Sequence, residues 1–349
     1  MAKKNTAGRA LLLGAAAIGA AAWAIAPRGF ADKRDHYVPA VPDALYAHRG
    51  LHDAGSGLSA QYAAESGEYV ALARRMAMKG GYGTPECAGP IAPENSLAAF
   101  AAACEAGYGI ELDVQMTMDG QVVVVHDADL MRVAGDPRRV ADLTYEELTR
   151  IPLFPAPSRP GCALAEPVPN AVEAPALVVT PSAPPRGYYQ HVPLFSDVLR
   201  VVDGRVPLIV EYKFEGTDWT PRSDELMEKA DALLQAYDGA YVVESFHPGA
   251  MHWYREHRPE VCRGQLAESA PLGRSGVVDW LAGLLAFDWL SRPDFVAYDW
   301  RGGASPQVRL ARAMGAVPVS WTVRSRDELA ECDEWFDHHI FESFVPDRA

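Results

Sequence analysis

The chain has 349 residues, 49% of them hydrophobic, which is enough to build one large core that carries insertions. Its formal net charge is −14 at pH 7 and its isoelectric point is near 5.2. This balance argues against a nucleic-acid partner, because no basic stripe is present to neutralise backbone phosphates. A small anionic substrate would have to be bound by a few local cations.

The first predicted element is an apolar targeting segment within residues 1–30. Basic residues precede a stretch from Ala10 to Pro27 that is about 17 residues long, between the length of a secretory signal and that of a membrane helix. We predict that the protein is exported and anchored in the membrane by this N-terminal apolar helix, with secretion after signal cleavage as the alternative. Residues 31–44 then form a linker.

Strand-like and helix-like patterns alternate along residues 45–349. Eight runs predict strands: 46–49, 109–114, 208–212, 241–245, 263–267, 295–299, 318–323 and 339–342. The intervening runs predict helices: 96–106, 194–202, 224–236, 250–256, 277–291, 306–314 and 326–336. Alternation of this kind indicates parallel strands joined by right-handed crossovers, and eight repeats indicate closure into a TIM (β/α)8 barrel.

Two long insertions interrupt the barrel pattern, at about residues 54–89 and 154–190. Connections of this length usually belong to lids or binding loops. Both insertions leave the carboxyl ends of strands, where barrel enzymes keep their active sites, so we expect them to wall the pocket. For the second insertion, which is crowded with prolines, poorly ordered surface chain is an equal alternative.

A β-hairpin forms a further excursion from the barrel. Asp119-Gly120 lies between two strand-like runs and predicts a tight turn. Counting outward from this turn pairs Asp113 with His126, so we expect the histidine to lie beside that carboxylate.

Polar residues cluster at the ends of these apolar strands. His48 and Arg49 follow the apolar residues Leu45–Ala47 at the end of the first strand, and Glu111 and Asp113 alternate on one face of the second. A buried carboxylate pair needs a metal, an Arg or a Lys to neutralise it. The alternative is that these residues are ordinary polar groups at strand ends and on a solvated edge.

A later strand carries Glu211 and Lys213, which also share one face and point into the barrel mouth. Together with Glu111 and Asp113, Glu211 makes a set of three carboxylates. Such a set suits a hard cation, Ca²⁺ or Mg²⁺, better than Zn²⁺.

Short polar stretches occur here in an order and spacing typical of one enzyme family. They are Ala47–Gly50, Ala92–Ser96, Glu111–Val114, Thr117–Gly120, His126-Asp127, Glu211–Lys213, Ser245-Phe246 and Trp321–Val323. On these stretches the chain resembles the glycerophosphodiester phosphodiesterase family. The resemblance covers nearly the whole barrel, and it implies a TIM barrel that hydrolyses a glycerol phosphodiester to glycerol phosphate and an alcohol with a divalent cation.

The resemblance also implies roles for individual residues. Three carboxylates, Glu111, Asp113 and Glu211, would hold the metal. His48 and His126 would be the acid and base, with Arg49 taking part in catalysis, and Arg49, Lys213 and Trp321 would contact the substrate. For Glu94 and Asn95 we favour support of the site over direct binding of the metal.

Two features depart from the family pattern. The final strand reads His338 to Ser343 where the family has an Ile-Ile-Thr-Asp type of ending, and the insertion after Gly50 is unusually long. The sequence therefore leaves three hypotheses for function. The favoured one is hydrolysis of a small glycerophosphodiester, the second is phospholipase D type activity on a lysophospholipid at the membrane, and the third is an inactive barrel used as a binding module.

Overall fold

The computed structural model describes residues 19–31, 40–155, 188–271 and 276–347. The strands in this part of the chain are β1 Leu45–Ala47, β2 Gly109–Met116, β3 Val122–Val124, β4 Asp129–Leu130, β5 Asp136–Arg139, β6 Leu208–Tyr212, β7 Tyr241–Ser245, β8 Arg263–Ala267, β9 Phe295–Asp299, β10 Val317–Val323 and β11 His338–Phe341. The helices are α1 Arg28–Ala31, α2 Ala63–Lys79, α3 Leu97–Ala106, α4 Met131–Ala134, α5 Tyr145–Leu148, α6 Phe195–Val202, α7 Pro221–Gln235, α8 Pro248–His257, α9 Val277–Gly283, α10 Asp288–Ser291, α11 Pro306–Ala313 and α12 Arg326–Cys332.

The main sheet closes on itself. Its nine strands follow the order β1-β11-β10-β9-β8-β7-β6-β2-β3, and β1 also pairs with β2. Strand β3 is the antiparallel partner of β2, so the other eight strands form the ring. Within the ring β1 pairs in parallel with β2 and β11, β2 with β6, and β8 with β7 and β9. A closed ring of eight parallel strands with helices between them is a TIM barrel, which confirms the predicted barrel.

The chain divides into two compact units. One contains Met1–Val41, Val243–Trp321 and Cys332–His338, and the other contains Pro42–Val242, Thr322–Glu331 and His339–Ala349. Strands β2 and β6 lie wholly in the second unit and are buried along their full length, as expected for parallel strands covered on both faces. Of the predicted site residues, all but Trp321 belong to this second unit.

The hairpin after β2 has a register one residue away from the predicted one. The main-chain N–H of Val125, rather than that of His126, donates to the carbonyl oxygen of Asp113, at 2.9 Å. The cause is one additional residue in the turn, which ends with Gly120 in the left-handed region at φ 75°. Three-residue loops that finish on such a glycine are common in hairpins. The predicted pairing of Asp113 with His126 is therefore wrong, although the predicted hairpin is present.

The hairpin excursion has a small core of its own. The buried members of this core are Val123, Val125, Leu130, Val133, Val140, Leu143, Leu148, Ile151, Leu153 and Val192. Residues 126 and 127 lie between β3 and β4, and Gln115 of β2 holds their loop by donating from Nε2 to both of their carbonyl oxygens at 2.9 Å.

The first insertion is built around α2. This helix buries Tyr69, Ala73 and Ala77 and packs against α3. Arg74 on the same helix binds the carboxylate of Asp53 at 2.8 Å, which joins the helix to the chain just after β1. Of the second insertion, residues 156–187 lie outside the described residues.

The described part of the chain contains no helix that is long and apolar enough to cross a membrane. Residues 1–18 of the predicted anchor lie outside the described residues. The end of the apolar segment belongs to the first unit and packs on other residues of that unit. Arg28 forms a buried ion pair with Asp294, and Arg292 donates to two main-chain carbonyl groups of the segment, at 2.7 and 2.8 Å.

Candidate active site

Three acidic side chains meet where β2 pairs with β6. The strand register places Asp113 directly opposite Glu211, and Glu111 lies two residues earlier on the same face of β2. One oxygen atom from each carboxylate lies within 4.8 Å of the others, and all three residues are buried. The donor set is made of carboxylate oxygens alone, which fits a hard divalent cation such as Ca²⁺ or Mg²⁺.

Lys213 partly neutralises this acidic group. Its Nζ lies 2.8 Å from Glu211 Oε1 and 3.3 Å from Asp113 Oδ1. Burial raises the pKa of Glu211. Burial also acts to raise the pKa of Asp113, but nearby positive charge, most of all that of Lys213, outweighs it and holds this pKa well below its usual range. One ammonium group among three carboxylates leaves excess negative charge, so the residues present fit the divalent cation that the sequence implies.

Arg49 lies beside the acidic group because its backbone has an unusual conformation. Its φ is 56°, in the left-handed region, and its main-chain N–H donates to Glu111 Oε2 at 3.0 Å. Its guanidinium group donates to Glu94 Oε1 at 2.8 Å and lies 3.4 Å from Asp113 Oδ2. The guanidinium group is therefore held at the centre of the site by buried carboxylates.

Asn95 is held in the same way. Its φ is 55°, its main-chain N–H donates to the carbonyl oxygen of Arg49 at 2.9 Å, and its Nδ2 donates to Asp113 Oδ2 at 2.8 Å. The next residue, Ser96, caps α3 by accepting a hydrogen bond from the N–H of Ala99. The start of this helix therefore fixes the amide that binds Asp113.

His48 directly follows β1 and pairs with a further buried carboxylate, that of Glu342. Its Nδ1 lies 2.7 Å from Glu342 Oε2, and its Nε2 lies 3.9 Å from Glu111 Oε2. Burial lowers the pKa of His48 to about 4, even though Glu342 acts to raise it. His48 is thus a neutral imidazole at neutral pH, with Nε2 on the side of Glu111.

His126 is likewise paired with a carboxylate. Its Nδ1 lies 2.7 Å from Asp127 Oδ1, and the other oxygen of Asp127 accepts from Arg132 Nε at 2.6 Å. Arg132 also donates to both oxygens of Glu94, at 2.6 and 2.9 Å. His126 also acts to lower the pKa of the Asp113 carboxyl group, though less than Lys213 does. Arg132 therefore links the histidine loop to the carboxylate that binds Arg49.

The structure brings together nine of the ten predicted site residues in one unit. They are His48, Arg49, Glu94, Asn95, Glu111, Asp113, His126, Glu211 and Lys213. Trp321 lies in the other unit, at the carboxyl end of β10, where its ring packs edge-on against Phe246 with centroids 5.5 Å apart.

Sequence reasoning missed three charged residues of the site. Asp127 had a local signal, because it follows His126 directly. Glu342 was hidden by the unusual ending of the last strand, and Arg132 lies on a short helix, α4, that no pattern marked. All three contact a predicted site residue or its partner.

Buried carboxylates, two carboxylate-paired histidines and two cations lie at the strand ends of a closed parallel barrel. This is where enzymes of the TIM-barrel class have their active sites. Residues 86–342 match the model of the glycerophosphoryl diester phosphodiesterase family. The chain belongs to this family.

Individual relatives agree with this assignment. The chain is 28% identical over 171 residues to a glycerophosphodiester phosphodiesterase of Bacillus altitudinis, covering 48% of this chain and 59% of the relative, which is less than two thirds of its length. It is 27% identical over 276 residues to glycerophosphodiester phosphodiesterase 1 of Bos taurus, covering 73% and 74% of the two chains. Among solved structures, it is similar in fold to an Oleispira antarctica phosphodiesterase in complex with the product sn-glycerol-3-phosphate, with a TM-score of 0.55, 17% identity and coverage of 86% and 92%.

Proposed function

We propose that the protein hydrolyses small glycerophosphodiesters to glycerol phosphate and an alcohol. The observation that carries this proposal is the group formed by Glu111, Asp113 and Glu211, whose oxygen atoms lie within 4.8 Å of one another beside two cations and two histidines. An anionic phosphodiester could not approach three buried carboxylates unless positive charge were present. The product bound to the Oleispira antarctica relative, sn-glycerol-3-phosphate, supports the substrate class.

Arg49 and Lys213 are proposed to bind the phosphate. Each now has carboxylate partners, at 2.8 Å from Glu94 for Arg49 and at 2.8 Å from Glu211 for Lys213. They are therefore fixed before the substrate arrives, and their charge meets the phosphoryl oxygens without reorganisation. A Ca²⁺ or Mg²⁺ ion held by Glu111, Asp113 and Glu211 would supply Lewis-acid polarisation of the phosphoryl group.

His48 and His126 are proposed to move the protons. One imidazole removes a proton from the attacking hydroxyl, which belongs either to water or to the glycerol of the substrate, and the other protonates the leaving alkoxide. An alkoxide is a poor leaving group at neutral pH, so this protonation is needed. Each Nδ1 is bonded to a carboxylate at 2.7 Å, which leaves each Nε2 available for the substrate.

The proposal includes export, with the segment within residues 1–30 as tether or, alternatively, as a cleaved signal. The basic residues and the apolar run from Ala10 to Pro27 support it.

Release of a lysophospholipid headgroup is the competing activity. In the first insertion Tyr69 is fully buried, and none of the large exposed hydrophobic residues in the described part of the chain lies between residues 54 and 89. A water-soluble substrate is therefore favoured.

A headgroup-release assay tests the proposal and the metal together. Purified protein should release alcohol from glycerophosphodiesters faster than from lysophospholipids of the same headgroup. Excess chelator should abolish turnover, and Ca²⁺ or Mg²⁺ should restore it, because the uncompensated carboxylates repel the phosphate. Full turnover in chelator would reject the metal, and equal rates on lipid and soluble esters would reject the substrate preference. The inactive-barrel hypothesis would hold if no ester were cleaved.

A further inference from the structure

Glu342 is fully buried next to His48 and takes no direct part in the proposed proton transfers. Its side chain has no exposed surface, and it follows the last residue of β11. A buried carboxylate is costly unless its oxygens are compensated by charged or hydrogen-bonded partners. The identity of these partners indicates what the carboxylate does.

The two oxygens of Glu342 have different partners. Oε2 pairs with His48 Nδ1 at 2.7 Å and accepts from Ser56 Oγ at 2.8 Å. Oε1 accepts from Arg324 Nε at 2.5 Å. Arg324 follows β10, the strand next to β11, so cation and carboxylate stand at the ends of neighbouring strands.

The loop after β1 closes over this carboxylate. A Cβ atom built on Gly57, which has a φ of 74°, would lie 2.5 Å from Glu342 Oε1 and 2.5 Å from Ser343 Oγ. His52 from the same loop is completely buried, with Nε2 3.6 Å from Glu342 Oε2. The start of the long insertion thus excludes water from the carboxylate of Glu342.

We propose that Glu342, fixed by Arg324, is a positioning residue that holds His48 in the tautomer with the proton on Nδ1 and aims Nε2 at the substrate. The proposal rests on the proposed phosphodiesterase activity, in which His48 moves a proton. A histidine whose Nδ1–H donates to a carboxylate presents an unprotonated Nε2 in a fixed direction. The same bond prevents rotation of the ring, and a displacement of about 1 Å at a catalytic group can reduce turnover about 10²-fold.

The first test reads the tautomer without measuring activity. Long-range ¹H–¹⁵N spectra of the wild-type histidines, with the His48 signals assigned by their loss in His48→Asn, should show Nδ1 protonated and Nε2 bare at neutral pH. A His48 with its proton on Nε2 would overturn the proposal. Because this reading needs no turnover, it remains valid even if wild-type protein cleaves no glycerophosphodiester and the proposed function fails.

The second test uses variants of the pair. Glu342→Gln should lower kcat about 10²-fold with KM changed less than about threefold, and it should reduce the share of the Nδ1–H tautomer. Glu342→Asp keeps the charge and should recover part of the lost kcat. Asp288→Asn is the matched control, since Asp288 is also fully buried but lies in the other compact unit, and its kcat should equal that of wild type.

Arg324→Gln covers the case in which Glu342→Gln does not fold. The side chain of Arg324 is 26% exposed, so this change leaves no large cavity, and it should lower kcat about tenfold with KM preserved. Wild-type kcat in either Glu342→Gln or Arg324→Gln would overturn the role assigned to that residue. A fall in kcat with the His48 tautomer and ring orientation unchanged would overturn the positioning mechanism.

Discussion

Three residues with side chains at the site have a backbone conformation that such residues rarely adopt. Arg49, Asn95 and Ser343 have φ values of 56°, 55° and 69°, all in the left-handed region. Such a conformation costs on the order of 1–3 kcal/mol when the residue is not glycine. The main-chain bonds of Arg49 to Glu111 and of Asn95 to Arg49 offset part of this cost. The strain is located where it directs a guanidinium and an amide toward Asp113.

The two histidines should act as one unit. We expect His48→Ala and His126→Ala each to lower kcat by at least about 10²-fold, because each removes a proton donor or acceptor. The double variant should be little worse than the worse single variant, since concerted groups are not additive. The measurement is kcat on an unactivated alkyl ester. If either single variant keeps near-native turnover on that ester, its histidine is neither the acid nor the base.

Glu94 should make stability depend on pH. Burial acts to raise its pKa, but Arg49 and Arg132 outweigh burial and lower it from 4.5 to about 2. A carboxylate whose pKa is lower in the folded state than in the unfolded state stabilises the fold at pH values above its unfolded pKa, near 4.5. This stabilisation is lost as the pH falls toward 2. The shift corresponds to about 3 kcal/mol.

Urea unfolding of wild type and Glu94→Gln checks this contribution. The difference in free energy of unfolding between the two proteins should be largest at pH 7 and should shrink by about 3 kcal/mol as the pH falls through 2. Glu331→Gln, at an exposed position, is the control and should track wild type at every pH. If the difference in free energy of unfolding stays constant with pH, the pKa of Glu94 is the same in the folded and unfolded states.

At the scale of elements, the apolar strands were the predictable part of the fold. The structure has β6, β7, β8 and β9 with the predicted bounds, because each is a short apolar run between polar loops. The hairpin register was missed because Asp119-Gly120 marks the turn but does not show whether its loop has two residues or three. Glu342 was missed because contacts between distant strand ends have no periodic signal in the sequence.

We expect Arg132 to hold the hairpin excursion in position relative to the active site. It bonds to Asp127 on the hairpin side and to both oxygens of Glu94 on the barrel side. Replacing it with Met, which keeps most of its apolar stem, should release both carboxylates and lower kcat about tenfold or more. Arg138→Met is the control, because Arg138 pairs only locally with Asp136 and its side chain is 51% exposed. Equal kcat in the two variants would remove Arg132 from any positioning role.

At the scale of the whole molecule, two roles of the N-terminal segment compete: packing on its own compact unit and spanning a membrane. If the segment from Trp23 onward stays docked on its unit, only Ala10 to Ala22 remain for a membrane, about 13 residues or ~20 Å of helix. The hydrocarbon core of a bilayer is about 30 Å thick. A spanning anchor therefore requires the docked part of the segment to be released, whereas a cleaved signal or a peripheral tether does not.

Two truncations measure how firmly this segment is docked. A chain that begins at Trp23 keeps the ion pair between Arg28 and Asp294, and a chain that begins at Ala40 loses it. Asp294 is fully buried, so removing its partner should lower the free energy of unfolding by about 3 kcal/mol in the shorter chain, as measured by urea denaturation. Arg28→Met in the full chain should have an effect of similar size. Identical urea midpoints for the two truncated chains would mean that the segment contributes nothing to the fold, and a spanning anchor would then have no competing interaction to break.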